Sequence, residues 1–151
     1  MAAYESIHIS APTRRAILAA ARAARPHEMI GVLGGPDRHR PGDAGQQLVR
    51  HFAPLPNASP GPDRFEVDPI AFAVAEAQLR RAGLTFLGFA HSHLDGITEP
   101  SDLDRRQLWP HCLQVIVAIT TTDAATFRAF RRRANRVLEV AIADPSDSPG
   151  V

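Results

Sequence analysis

The stretch LTFLGFAHSHLDGITEPSDLD (residues 84–104) decides how this chain is read. Its first seven residues are almost wholly apolar, too short a run for a helix, and follow Gly83, so they read as a buried strand. That strand runs straight into His91-Ser92-His93. Successive strand side chains alternate faces, so both imidazoles project from one face with Cβ atoms roughly 6–7 Å apart. Two ring nitrogens so placed can meet one metal ion at about 2.0–2.1 Å each. Asp104 lies eleven residues beyond His93, after a loop long enough to return its carboxylate to the same point. Two histidines and one carboxylate leave a tetrahedral ion with an open position for water, the mark of a catalytic rather than a structural centre. Each half also has a plain structural reading. His-x-His is common by chance, and Ser101 followed three residues later by Asp104 fits a helix capping box.

Outward from this segment, the pattern alternates helices with short strands. Residues 5–10 (ESIHIS) alternate polar and apolar like a short edge strand. Ser10-Ala11-Pro12 opens an alanine-rich helix that Pro26 stops. MIGVLGG (29–35) reads as a buried strand, 36–46 as a surface loop, and LVRHFAPL (48–55) as one strand. Residues 56–63 carry three prolines and a glycine and read as an irregular loop, with RFEV (64–67) a short strand. Asp68-Pro69 starts a second helix with Phe72, Ala75 and Leu79 on one stripe, closed by Gly83. A short helix from Ser101 to about Leu108, a buried strand LQVIVAIT (113–120) and a hairpin (126–133, 136–143) turning near Ala134-Asn135 complete the chain. The expectation is an α/β fold: a single layered domain over residues 1–143 with a mixed central sheet flanked by helices, and a disordered tail at 144–151.

The bulk numbers narrow the function class. At 151 residues the chain has the size of one domain, and its formal charge of +1 gives no strong pull towards nucleic acid or membrane. The arginines at 128, 131, 132, 133 and 136 read as a solvated strand edge rather than a binding patch. Cys112, alone, forms no internal disulfide and is most simply a buried small residue. The opening MAAYESIHIS does not resemble a secretory signal, and no run approaches the roughly 20 apolar residues that span a bilayer, so a cytoplasmic location is expected.

The ordered set His91-Ser92-His93, seven residues, Ser101, two residues, Asp104 resembles the zinc motif of the JAMM (MPN-plus, JAB-domain) metalloproteases. Glu28, in Pro26-His27-Glu28-Met29-Ile30-Gly31-Val32-Leu33-Gly34-Gly35, resembles the glutamate that this family places before a glycine-containing strand after its first long helix. The order of elements over roughly residues 5–143 matches as well. The resemblance implies a JAB/MPN-like fold, similar in its sheet to the cytidine deaminases, and one Zn2+ held by His91, His93 and Asp104. It implies Glu28 as the base that takes a proton from the metal-activated water and passes it to the leaving amine. Ser101 is implied as a donor to the oxyanion, beside its capping role. Many members carry proline directly after the second histidine; here Leu94 stands there, and Gly96 is left to shape the loop. Ser92 points to the opposite strand face and reads as structural.

Single-domain members of the family resemble processing enzymes that cut after the C-terminal Gly-Gly of a ubiquitin-like or sulfur-carrier protein. Such a tail can add beside an exposed strand, with 84–90 and 48–55 both candidates. The alternative is a catalytically inactive MPN-type scaffold, against which the complete set Glu28, His91, His93, Ser101 and Asp104 argues. A nucleobase deaminase needs His-x-Glu and Pro-Cys-x-x-Cys, which a chain with one cysteine does not supply.

Overall fold

The computed structural model describes residues 6–36, 45–59, 61, 65–120 and 125–143. Among these residues three helices and eight strands follow in the order β1 (Ser6–Ile9), α1 (Ala11–Ala24), β2 (Ile30–Pro36), β3 (Gln46–Val49), β4 (His51–Leu55), α2 (Pro69–Arg81), β5 (Leu84–His93), α3 (Asp102–Gln107), β6 (Leu113–Ile119), β7 (Ala125–Arg133) and β8 (Arg136–Ile142). The strands form one mixed sheet in the order β3-β1-β8-β7-β6-β5-β2-β4. This is the expected α/β layered fold.

Each long helix starts where its sequence says. Ser10 caps α1 by accepting from the Thr13 amide at 3.3 Å, and Asp68 caps α2 by accepting from Ile70 at 3.0 Å. α1 buries Thr13, Ile17 and Ala21, spaced by four, which is one face of a 3.6-residue turn. It covers the core built from Ile7, Ile9, Leu33, Ala90, Val115 and Val117. α2 buries Ala75 and Leu79 against Ile30, Val32 and Phe89 on the other side of the sheet, with Phe72 packed beside them. The two helices therefore divide the strand alternation between two cores. On β5, Ala90 and Ser92 face the α1 side, whereas Phe89, His91 and His93 share the α2 side.

Three expectations need correction. Residues 48–55 are not one strand: β3 ends at Val49 and pairs parallel with β1, while β4 begins at His51 and pairs antiparallel with β2. The intervening Arg50 is bound through its amide to the Gly34 carbonyl, which turns the chain from one partner to the next. β1 is not an edge strand, because it is flanked by β3 and β8. The described part of 64–67 is not a strand either; a single antiparallel bridge joins Asn57 and Val67. Most of the 36–46 loop and the 144–151 tail lie outside the described residues.

β5 carries the site, and one glycine lets it reach its neighbour. A Cβ at Gly88 would lie 1.9 Å from the Leu113 carbonyl oxygen, so only glycine permits β6 to join β5 here. The register then continues without a break from Gly88↔Leu113 to His93↔Ala118.

Candidate metal centre

His91 and His93 end β5 on the α2 face, as strand alternation requires, and Asp104 comes from the first turn of α3. Their inner atoms converge. His91 Nε2 and His93 Nε2 are 3.0 Å apart, and Asp104 Oδ2 lies 3.3 Å from the first and 3.0 Å from the second. Ligands about 2.0–2.1 Å from a tetrahedral zinc ion are separated by about 3.3 Å. The three donors are thus spaced as three corners around such an ion, and this is the one group of three metal-ligating side chains found among the described residues. The chemistry agrees with the spacing, since three lone-pair atoms facing one point need protons or a cation between them.

The sequence builds this arrangement with local devices. Ser101 Oγ accepts from the Asp104 amide at 3.1 Å, and Asp104 Oδ2 accepts from the Ser101 amide at 2.9 Å, so the capping box is formed. The same box aims the carboxylate at the histidines. In the loop, Asp95 accepts from the Ile97 amide at 3.0 Å while Gly96 takes φ +81°. This Asx turn presents the Ile97 carbonyl to His93 Nδ1 at 2.7 Å. A carbonyl only accepts, so Nδ1 carries the hydrogen and neutral His93 keeps its lone pair on Nε2.

The ionisation of the three groups follows from their burial and mutual contacts. Burial pushes the His91 imidazole below its ordinary value and outweighs the Asp104 carboxylate, so this ring is neutral. Burial also acts to lower His93, but the bond to Asp104, the Ile97 carbonyl and the charges of Asp104 and Glu28 carry it above its ordinary value. Burial alone would raise Asp104; the two histidines and the Ser101 amide instead hold it far below the carboxylate range.

Glu28 is brought to the same place by the sheet. Ile30 pairs with His91, and Met29 is clamped to Ser92: the Ser92 amide donates to the Met29 carbonyl at 2.9 Å, and Ser92 Oγ accepts from the Met29 amide at 2.7 Å. Continuing this antiparallel register by one residue sets Glu28 opposite His93, whose imidazole feels its charge. Glu28 is only 6% exposed. Asn57 holds its backbone, donating to the Glu28 carbonyl at 3.0 Å and accepting from the Ser59 and Glu66 amides at 2.9 and 3.0 Å. Ser92, on the other face, is structural.

Several contributors were not legible beforehand. Phe65 lies beside His91 with ring centroids 4.6 Å apart, in the segment read as a strand. Gln114 of β6 touches His91 Nδ1 with its side-chain amide. The Asn57 side chain and the Ile97 carbonyl act on partners that no residue spacing announces. Elsewhere, three of the arginine row are engaged within the fold: Arg128 makes two bonds of 2.8 Å to Glu139, Arg131 binds Gln47, and Arg132 binds the Arg105 carbonyl. His111 is exposed, and Cys112 is half-buried, its thiol pushed up by that burial. No helix among the described residues is long and apolar enough to cross a membrane.

Residues 10–133 match the family of prokaryotic homologs of the JAB domain. The chain belongs to that family. A solved structure from Desulfitobacterium hafniense is 30% identical, with 91% of each chain covered and a TM-score of 0.79. The JAB domain seen here also superposes on a JAB1/MPN domain protein from Archaeoglobus fulgidus at 20% identity, covering 91% of this chain and 98% of that one with a TM-score of 0.56. A Salinibacter ruber protein, also 20% identical, covers 95% of each chain with a TM-score of 0.66. These last two show the fold alone. A probable TtuB-protein conjugate cleaving protease of Thermus thermophilus is 38% identical over 65 residues, which are 42% of this chain and 44% of that protein. The match therefore spans less than half the length of this curated relative.

Proposed function

We propose that this JAB domain is a zinc-dependent peptidase or isopeptidase that hydrolyses an amide bond with water. The observation that carries the proposal is the convergence of His91 Nε2, His93 Nε2 and Asp104 Oδ2 beside a buried glutamate set opposite His93. A zinc ion held by these three supplies Lewis acidity, which brings the pKa of a coordinated water from about 15.7 to about 7. Glu28 takes the proton of the attacking water and delivers it to the departing nitrogen. Ser101 accepts from the Asp104 amide through Oγ, which leaves its own O–H to donate to the oxyanion of the tetrahedral intermediate. No nucleophilic side chain is required, so no covalent acyl-enzyme forms.

The substrate class we assign is the C-terminal Gly-Gly tail of a ubiquitin-like or sulfur-carrier protein, joined to an amino acid or a lysine. The likeness to a protein named for cleaving TtuB conjugates supports it. Of the two strands considered for docking such a tail, β5 is paired on both sides, by β2 and β6, whereas β4 ends the sheet order. β4 reaches the centre at its Leu55 end, opposite Ile30, which is itself opposite His91. A cavity of about 370 Å³ lined by Asp104, Trp109 and Gln114 borders the ligand set, and another of about 490 Å³, lined by Ala20 and Ala24 of α1 with Leu55 and Asn57, opens beside Glu28. The reaction requires neither nucleic acid nor membrane, and a cytoplasmic location accords with it.

The test is metal content of wild type, His91→Ala and Glu28→Ala, with cleavage of a Gly-Gly-ended fusion followed in parallel. One zinc per chain, lost in His91→Ala and kept in Glu28→Ala while both lose cleavage, is the expected result. Wild type that takes up no stoichiometric metal under zinc-replete conditions refutes the hydrolase and leaves a protein-binding scaffold. Zinc without cleavage rejects only the Gly-Gly substrate.

A further inference from the structure

We infer that Gln114 is a positioning residue of the metal centre, which holds His91 in the tautomer and ring orientation that present Nε2 to the ion. The inference rests on the zinc reading above and assigns a role to a residue outside the ligand set.

Gln114 stands in LQVIVAI, a strand whose seven residues are all buried and, apart from this glutamine, all apolar. A carboxamide placed there costs free energy unless its atoms are bonded, so its partner is informative. That partner is His91 Nδ1. The register explains the contact. Gln114 pairs with Phe89, and Phe89 and His91 share a face, so Gln114 reaches His91 on the diagonal while Ile116 occupies the position directly opposite. Gln114 is 5% exposed and His91 wholly buried, so water does not substitute for the contact.

His91 has its Nε2 turned to His93 and Asp104. Ligation through Nε2 puts the hydrogen of the neutral ring on Nδ1, where it must find an acceptor. At His93 that acceptor is the Ile97 carbonyl, which can only accept. At His91 no backbone carbonyl among the described residues fills the place, and the Gln114 amide does. As placed, the amide nitrogen Nε2 of Gln114 faces Nδ1; a half-turn of the carboxamide exchanges it with Oε1, so Gln114 accepts from Nδ1–H when His91 Nε2 is ligated. The two histidines are thus steered by different means, one by the main chain and one by a replaceable side chain. Gln114 also lines the cavity beside Asp104, but its assigned work is on His91 and not on substrate.

The experiment compares zinc dissociation constants, by competition with a chromogenic chelator, for wild type, Gln114→Leu and Gln114→Glu. Circular dichroism melts of the metal-free forms establish that each variant is folded. Leucine has similar bulk and no acceptor, and its zinc affinity falls about 10- to 100-fold, the usual cost of losing an outer-shell partner. Glutamate accepts at the same point and restores affinity to within a few-fold of wild type. Nitrogen-15 NMR of zinc-loaded wild type shows His91 protonated at Nδ1 and ligated at Nε2, a readout that needs no variant. Leucine binding zinc as tightly as wild type, glutamate failing as badly as leucine, or His91 ligated through Nδ1 each overturns the inference. Wild type that binds no zinc refutes instead the metal-centre reading on which it rests, so the two failures are distinguishable.

Discussion

Ser101→Gly separates the two jobs that the structure gives one hydroxyl. Ser101 Oγ accepts from the Asp104 amide at 3.1 Å, and its O–H is the proposed donor to the oxyanion. Glycine at an N-cap costs a helix only a few tenths of a kcal/mol relative to serine, whereas alanine costs about 1 kcal/mol. The Ser101 backbone amide, which holds Asp104 Oδ2 at 2.9 Å, is kept in the glycine variant. Asp104 therefore stays aimed at the histidines. A loss of about 0.3 kcal/mol moves Tm by about 1 °C in a domain of this size and weakens zinc binding less than twofold. Loss of an oxyanion donor is far larger, about 10²- to 10³-fold in kcat. The assay is cleavage of the Gly-Gly-ended fusion under saturating substrate, beside chelator competition for zinc and a thermal melt. Near-wild-type Tm and zinc affinity with kcat down at least 100-fold is the expected pattern. A kcat within fivefold of wild type would show that Ser101 only caps the helix, and the oxyanion assignment would be wrong.

Three further outcomes follow from the geometry. Zinc affinity falls as pH drops through the raised pKa of His93, because that imidazole must lose a proton to ligate, whereas His91, lowered by burial, is already neutral. Below the raised pKa of His93 the slope approaches about tenfold per pH unit, one proton for that imidazole; a zinc affinity that does not change on acidification through that range contradicts this. Asn57→Ala removes the side chain that ties the Glu28 carbonyl to the Ser59 and Glu66 amides, so kcat falls while zinc content stays at one per chain. Unchanged kcat in that variant would mean Glu28 is held by β2 alone. Gly88→Ala drives a Cβ to 1.9 Å from the Leu113 carbonyl and must part β5 from β6, at a cost of about 1–3 kcal/mol in chemical denaturation; an unaltered midpoint would show that the strands yield freely there.

What the sequence by itself determined is local in its physics. Strand alternation put His91 and His93 on one face and Ser92 on the other, and the structure keeps that division. Capping chemistry placed the starts of α1, α2 and α3 at Ser10, Asp68 and Ser101, because a short oxygen-bearing side chain and a nearby proline act within one turn. Gly96 was legible as the hinge of the loop after His93 for the same reason.

Tertiary structure decided everything that depends on partners distant in sequence. Whether 48–55 was one strand or two turned on the Arg50 amide meeting the Gly34 carbonyl, a choice that β-propensity does not contain. β1 reads as an edge from its alternation, yet the return of β8 buries it, since pairing depends on which strand arrives. Phe65 looked like strand and instead lies against His91, because tertiary contact with the ring overrode a short β pattern. Gln114 gave only the anomaly of one amide in an apolar run, and the β5–β6 register gave that anomaly a partner. Glu28 stands 63 residues before His91 in the chain, yet its charge reaches His93, because the antiparallel ladder of β2 on β5 pairs Ile30, two residues on, with His91.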